Sequence, residues 1–166
     1  ITIINAALKG GEEILEVYNS EFAVETKDDK SPLTEADKRA HLAIVAALEV
    51  TDLPILSEEG KQMDYAERKD WNQFWMVDPL DGTKEFVKRN GEFTVNIALI
   101  HNGSPIMGVI YVPVKEELYF AMEETGFYMR LEKSRISLYP AKLVCENING
   151  TIDSLGVRGK FSYNWL

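Results

Sequence analysis

The stretch that most constrains the fold runs from an apolar segment into a turn rich in carboxylates. Phe74–Val77 combines aromatic, flexible apolar and β-branched residues, which predicts a buried strand that ends at Asp78. Pro79 has no backbone N–H, so we expect sheet pairing to stop there. Gly82 permits a sharp bend, and Thr83–Val87 is predicted to form a short helix whose free N–H groups can face an anion.

Asp78 and Asp81 stand three residues apart across this turn, so their carboxylates can converge on one point. Hard divalent cations prefer such clusters of oxygen ligands. One turn can therefore hold both a metal ion and a phosphate group. The alternative is ordinary turn chemistry, because Asp-Pro and Asp-Gly are common turn formers.

Charge and cysteine content narrow the classes of partner. The net charge of −9 disfavours nucleic-acid polymers and acidic membrane surfaces, since both require a basic face. Cys145 is the only cysteine, which excludes an internal disulfide and favours a reducing cytoplasm. The sequence has no apolar run of about twenty residues, so no membrane span is expected.

Two amphipathic helices are predicted before the central turn. The second begins at Thr34 and continues to about Glu49. Thr34 and Asp37 have the spacing of a helix-capping box, which is the role that the residues alone favour for Asp37. The first helix is predicted to bury a stripe at helical spacing, formed by Ile4, Ala7, Leu8, Gly11, Leu15 and Tyr18.

Strands are predicted on both sides of the central turn. Leu53–Leu56 is a short apolar strand that ends at Ser57-Glu58-Glu59-Gly60, so it carries carboxylates at its end as the central strand does. The alternative is an ordinary acidic turn that is exposed to solvent. The charged stretch 61–72 predicts a flexible connection. Four strand-like segments with short polar breaks then predict an antiparallel meander: Phe93–Ile100, Ile106–Val112, Glu117–Met122 and Phe127–Leu131. The predicted fold class is α+β, an antiparallel sheet covered by two N-terminal helices.

Some segments carry weaker signals. Phe22–Thr26 alternates like a short strand, and residues 27–32 read as a charged loop that can approach a substrate. His41 and His101 lack a second ligand at metal spacing, so both are interpreted as structural.

The sequence Asp78-Pro79-Leu80-Asp81-Gly82-Thr83, with Ser57-Glu58-Glu59-Gly60 upstream, resembles the inositol monophosphatase-like family of metal-dependent phosphatases. The continuation from Lys84 to Asn96 is similar to the 3'(2'),5'-bisphosphate nucleotidase branch, which serves sulfate assimilation in bacteria. The resemblance runs from the first helix to about Arg130. It implies the first domain of an αβαβα fold at residues 1–131. Residues 132–166 would form an irregular tail, the remnant or start of a second domain, with strand-like segments at 136–139 and 142–145.

The resemblance also implies roles for individual residues. Magnesium ions, two or three per complete site, would be held by the carboxylates of Glu58, Asp78 and Asp81 and by the carbonyl oxygen of Leu80, with Glu59 in support. Asp37 and Thr83 would together activate the attacking water. The amides of Gly82 and Thr83, with Glu58, would bind the phosphate.

The implied reaction is magnesium-dependent hydrolysis of 3'-phosphoadenosine 5'-phosphate to AMP and phosphate. One alternative is a sugar phosphatase of the inositol monophosphatase type. Another is a noncatalytic domain that binds metal or phosphate, because the family's later Trp-Asp-x-Ala-Ala-Gly segment, whose Asp completes the metal site, is absent from this sequence. The partner would be a phosphorylated small molecule in the cytoplasm, at most peripheral to the inner membrane, and a homodimer is left open.

Overall fold

Two long helices and a seven-stranded sheet form the part of the chain that the computed structural model describes, which is residues 2–20, 32–122, 127–132 and 135–140. The helices are α1 (Thr2–Tyr18), α2 (Pro32–Leu48), α3 (Tyr65–Arg68) and α4 (Thr83–Lys88). The strands are β1 (Ile55–Ser57), β2 (Gln73–Asp81), β3 (Thr94–His101), β4 (Ser104–Val112), β5 (Glu117–Met122), β6 (Phe127–Glu132) and β7 (Arg135–Pro140). The predicted α+β class is confirmed.

The strands lie side by side in chain order, and every pair except the first is antiparallel. β1 pairs with β2 in parallel, so the prediction of a wholly antiparallel sheet is wrong at this edge. Parallel strands need a connection that returns the chain to the starting end of the sheet. Residues 58–72 make this connection and include α3, where a flexible link was predicted.

The sheet extends past the predicted domain boundary at residue 131. β7 pairs with β6 from Glu132 and Arg135 onward, which confirms the strand signal at 136–139. The division into two domains stays a prediction. The strand signals at 22–26 and 142–145, and most of the predicted loop 27–32, lie outside the described residues.

Helices α1 and α2 pack against each other and against β2, β3 and β4. The predicted stripe on α1 is displaced, because Ile4, Leu8 and Tyr18 are only partly buried. A Cβ atom on Gly10 would lie 2.7 Å from Ile44 Cδ1, so the absence of a side chain there lets α2 approach closely. The residues of α1 that are buried are Ile3, Ala6, Ala7, Gly10, Gly11, Ile14 and Val17.

Helix α2 begins two residues earlier than predicted. Pro32 is its first residue, a position that suits proline because the first N–H groups of a helix have no partner inside it. Thr34 therefore lies inside the helix, and the predicted capping box of Thr34 and Asp37 is wrong. Asp37 is left with no capping role.

Candidate active site

The parallel pairing of β1 and β2 brings the two acidic sequences together. Ser57 stands opposite Val77 in the register, so Glu58 and Asp78 follow at the same edge of the sheet. The backbone N–H of Glu58 donates to the Val77 carbonyl oxygen at 3.1 Å. Glu58 and Asp78, which are twenty residues apart in sequence, are therefore brought side by side.

A β-bulge shapes the turn after Asp78. Asp78 pairs with Asn96 and Asp81 with Thr94, so β2 has one residue more than β3 across this interval. Pairing resumes at Asp81, and the prediction that it stops at Pro79 is wrong. The bulge accommodates a residue that has no N–H for the ladder. We call residues 78–83 the bulged turn.

The bulged turn is anchored in the hydrophobic core. Leu80 is 2% exposed, and its backbone N–H donates to the Asp78 carboxylate. Gly82 has φ 97°, and a Cβ atom there would lie 3.0 Å from the Glu92 carbonyl oxygen, so the close approach and the backbone conformation both require glycine. Helix α4 starts at Thr83 as predicted, and its buried Phe86 packs edge-on against Phe93 at 5.4 Å between ring centroids.

The acidic loop, residues 57–60, is held differently. The side chains of Glu58 and Glu59 are exposed. The Gly60 N–H donates to the Ser57 carbonyl oxygen at 3.1 Å, and the Ser57 hydroxyl hydrogen-bonds to His41 Nδ1 at 2.8 Å. Burial lowers the pKa of His41, and the nearby Glu59 carboxylate acts in the opposite direction. His41, interpreted as structural from the sequence, thus braces the acidic loop.

Asp37 lies on α2 one turn before His41 and faces the same acidic groups. Burial, together with the nearby carboxylates of Glu59, Asp78 and Glu58, raises the pKa of Asp37 to about 8. The predicted roles of Asp37 and Glu59 therefore fall on residues that the fold brings together. Thr83 is exposed at the start of α4, and its predicted cooperation with Asp37 stays a prediction.

Asp78 is the most enclosed carboxylate of the bulged turn. Burial and the neighbouring carboxylates of Asp81 and Glu58 raise its pKa to about 7, and the hydrogen bond from the Leu80 N–H acts in the opposite direction. Oδ1 of Asp78 and Oδ1 of Asp37 are buried and have no hydrogen-bond partner within the described part of the chain. These carboxylates lie close to one another, have raised pKa values and lack some of their hydrogen bonds. A bound cation would stabilise the charged form of such groups.

The donor set fits a hard divalent cation in its chemistry. All the candidate side-chain ligands are carboxylates, which suits magnesium better than softer metals. Among the described residues, however, no three side chains of the kinds that bind metals are grouped as closely as a ligand shell requires. The assignment of Glu58, Asp78, Leu80 and Asp81 as metal ligands stays a prediction.

Two polar residues of this site, Thr94 and Asn96, were not predicted from the sequence. Asn96 donates from Nδ2 to Asp81 Oδ2 at 3.1 Å, and Thr94 donates from Oγ1 to Asn96 Oδ1 at 3.2 Å. The signal was present, because Thr94 and Asn96 are polar residues two apart in an otherwise apolar strand and so share one face.

The chain is similar to known phosphatases over most of its length. Residues 1–160 match the Inositol monophosphatase family, well beyond the Arg130 limit noted from the motifs. The 3'(2'),5'-bisphosphate nucleotidase CysQ of Escherichia coli (strain K12) is 48% identical over 125 residues, which cover 73% of this chain and 50% of that protein. The CysQ protein of Salmonella typhimurium is 47% identical over 125 residues, with the same coverage. The chain thus spans about half the length of the curated relatives it matches.

Solved structures agree with this similarity. The crystal structure of CysQ from Bacteroides thetaiotaomicron, described as a bacterial member of the inositol monophosphatase family, aligns with a TM-score of 0.76 at 54% identity. It covers 87% of this chain and 54% of that one. The extragenic suppressor protein suhB of Bartonella henselae aligns with a TM-score of 0.62 at 29% identity, covering 76% of this chain and 49% of that one. Among the described segments, none of the helices combines the length and the apolar character that a membrane span needs.

Proposed function

Because this chain belongs to the inositol monophosphatase family, we propose that it forms the catalytic half of a magnesium-dependent 3'(2'),5'-bisphosphate nucleotidase. One observation carries the proposal: the parallel pairing of β1 and β2 sets Glu58 beside Asp78, with Asp37 of α2 facing both. The sequence identity of this chain to two proteins named CysQ supports its assignment to the nucleotidase branch.

The proposed ligands are the carboxylates of Glu58, Asp78 and Asp81 and the carbonyl oxygen of Leu80, with Glu59 in support. When bound, magnesium supplies a lowered pKa for the attacking water and a positive charge that offsets the charge on the leaving oxygen. Leu80 suits a backbone role because its side chain is buried in the core. Its carbonyl is thereby attached to a rigid part of the fold.

The residues around the proposed cation site orient the reactants. Thr83 would orient the attacking water, and the Asp37 carboxylate would accept its proton. The amides of Gly82 and Thr83, at the start of α4, would bind the phosphate. Attack of water on phosphorus would break the bond to the 3' oxygen and release AMP and phosphate.

The proposed substrate is 3'-phosphoadenosine 5'-phosphate, a by-product of sulfate assimilation, and the proposed location is the cytoplasm. The net charge of −9 disfavours an unassisted approach of so anionic a substrate. Bound magnesium would provide the compensating charge, so activity should disappear when a chelator removes the metal.

The decisive experiment measures phosphate release by the full-length protein with magnesium. Three substrates are compared by kcat/KM: 3'-phosphoadenosine 5'-phosphate, inositol 1-phosphate and fructose 1,6-bisphosphate. We expect the first to be hydrolysed most efficiently. Preference for inositol 1-phosphate would instead identify a sugar phosphatase, and release from none of them despite magnesium binding would identify a noncatalytic binding domain.

A further inference from the structure

A short chain of hydrogen bonds leads from the interior of β3 to the bulged turn. The Thr94 hydroxyl donates to Asn96 Oδ1 at 3.2 Å, and Asn96 Nδ2 donates to Asp81 Oδ2 at 3.1 Å. The strand register supports this arrangement, because Thr94 stands directly opposite Asp81. Residues opposite each other in an antiparallel pair place their side chains on the same face of the sheet.

The direction of these hydrogen bonds follows from the chemistry of the groups. An ionised carboxylate can only accept, so Asn96 must present its NH₂ group to Asp81. The amide oxygen of Asn96 then points away and accepts from the Thr94 hydroxyl. Reversing the amide would set two acceptors against each other at Asp81, which makes the observed orientation the stable one.

Thr94 is placed to hold Asn96 rather than to contact solvent. Its side chain is only 4% exposed, so its hydroxyl needs a protein partner. The neighbouring Val95 faces α1, where a Cβ on Gly10 would lie 3.7 Å from Val95 Cγ1. Thr94 and Asn96 therefore lie on the opposite face, away from the helices.

We propose that Asn96, held by Thr94, is a positioning residue that orients the Asp81 carboxylate for a divalent cation. The Asn96 amide occupies one carboxylate oxygen of Asp81 and leaves the other oxygen for the metal. The same hydrogen bond fixes the Asp81 side chain in one rotamer. Hydrogen-bonded partners of this kind commonly hold metal-binding carboxylates in place. The proposal rests on the proposed function in treating Asp81 as a ligand, but it is tested by metal binding alone.

The test measures the magnesium dissociation constant of the full-length protein by calorimetry. Asn96→Leu should raise the constant about tenfold, the usual cost of losing such a partner. Thr94→Val should raise it about threefold, since the amide remains but is less firmly held. If Thr94 acts only through Asn96, the double variant should match Asn96→Leu alone. Thr94→Ser keeps the hydroxyl and should restore nearly normal binding.

Thr51→Val is the matched control. The Thr51 hydroxyl donates to the Leu48 carbonyl oxygen and accepts from Trp75 Nε1. Neither of these hydrogen bonds involves Asp81. This variant should lower the unfolding temperature without changing magnesium affinity. A general loss of stability is thereby separated from misplacement of Asp81.

Several outcomes would overturn the proposal. An unchanged constant in Asn96→Leu, or additive effects of the two substitutions, would remove the positioning role. If Asn96→Leu does not fold, Thr94→Val is the deciding variant. An unchanged magnesium dissociation constant in Thr94→Val would then contradict the proposal. Wild-type protein that binds no magnesium would also overturn it. Normal binding with the expected variant effects, but no phosphate release from any substrate, would defeat only the proposed function.

Discussion

The bulged turn and the acidic loop deliver carboxylates to the same place but are supported in different ways. The bulged turn has buried Pro79 and Leu80 within it, and Gly82 packs against the backbone of Phe93. The acidic loop presents exposed Glu58 and Glu59, held by backbone bonds and by the contact between Ser57 and His41. One half of the site is therefore part of the core, and the other half lies at the surface.

This difference has a consequence for mutations. A substitution in the bulged turn should affect stability whenever it touches a buried side chain, because interiors are closely packed. A substitution in the acidic loop should affect function with little change in stability, because exposed residues make few contacts.

The largest expected effect is that of Asp81→Asn on catalysis. Removal of one ligand charge should lower magnesium-dependent kcat/KM by about 1,000-fold, or about 4 kcal/mol of transition-state stabilisation. Circular dichroism should show an intact fold, because Asp81 is not in the hydrophobic core. Asp52→Asn, an exposed aspartate at the end of the turn after α2, is the control and should retain full activity. Retention of most activity in Asp81→Asn would remove it from the ligand set.

Next in size is the effect of Leu80→Ala on stability. Leu80 is 2% exposed, and truncating a buried leucine should cost about 3 kcal/mol in the free energy of unfolding. Leu42→Ala, at a leucine that is 66% exposed, should cost less than about 0.5 kcal/mol. Glu58→Ala in the acidic loop should lower the free energy of unfolding as little as Leu42→Ala does, as measured by denaturant titration. If Leu80→Ala were equally mild, the bulged turn would not be supported by the core.

A smaller effect concerns pH in protein freed of metal. The pKa values of Asp37 and Asp78 are raised from 3.8 to about 8 and about 7, so the folded state binds protons more tightly than the unfolded state. Their contribution to stability is therefore complete below about pH 4 and is lost as the pH rises to about 8.

Asp37→Asn should reduce this loss by about 1 kcal/mol, a figure limited by partial exposure and solvent screening. Thermal unfolding followed from pH 5 to pH 8 measures it. Magnesium should reverse the trend in the wild-type protein, because the metal stabilises the charged carboxylates. A stability that rises with pH in metal-free protein would contradict the crowding of these groups.

The smallest expected effect is that of His41→Ala on the acidic loop. Loss of the hydrogen bond to Ser57 should cost about 0.5–1 kcal/mol, seen as a two- to fivefold increase in the magnesium concentration for half-maximal activity. Ser57→Ala should give a similar change, and the double variant should add little. His101→Ala is the control, since His101 is exposed and contacts Asn102. Equal effects of both histidines would mean that His41 does not brace the loop.

Much of the central element could be predicted because its causes are local. The apolar run before Asp78, the proline, and the glycine before Thr83 specify a strand, a turn and a short helix within about a dozen residues. The meander from β3 to β6 was also predictable, since neighbouring strands with short polar breaks pair with one another. The residues of the bulged turn that could bind a metal or a phosphate were therefore recognisable in advance.

Other parts of the site were decided by contacts between distant segments. The parallel pairing of β1 with β2, the bond between His41 and Ser57, and the bond between Asn96 and Asp81 each join residues fifteen or more positions apart. Local patterns cannot rank such pairings, because their stability depends on burial and register across the whole sheet. The beginning of α2 was misplaced for a related reason, as helical spacing does not specify the first residue.

By itself, the sequence determined which chemistry is available: an acidic set of ligands, a glycine at the bend and a helix that follows it. Only the tertiary structure decided which carboxylates meet, which of them are buried, and which neighbours hold them. The physical reason is that the character of a ligand is a property of one side chain, whereas its pKa and orientation are set by the groups that folding packs around it.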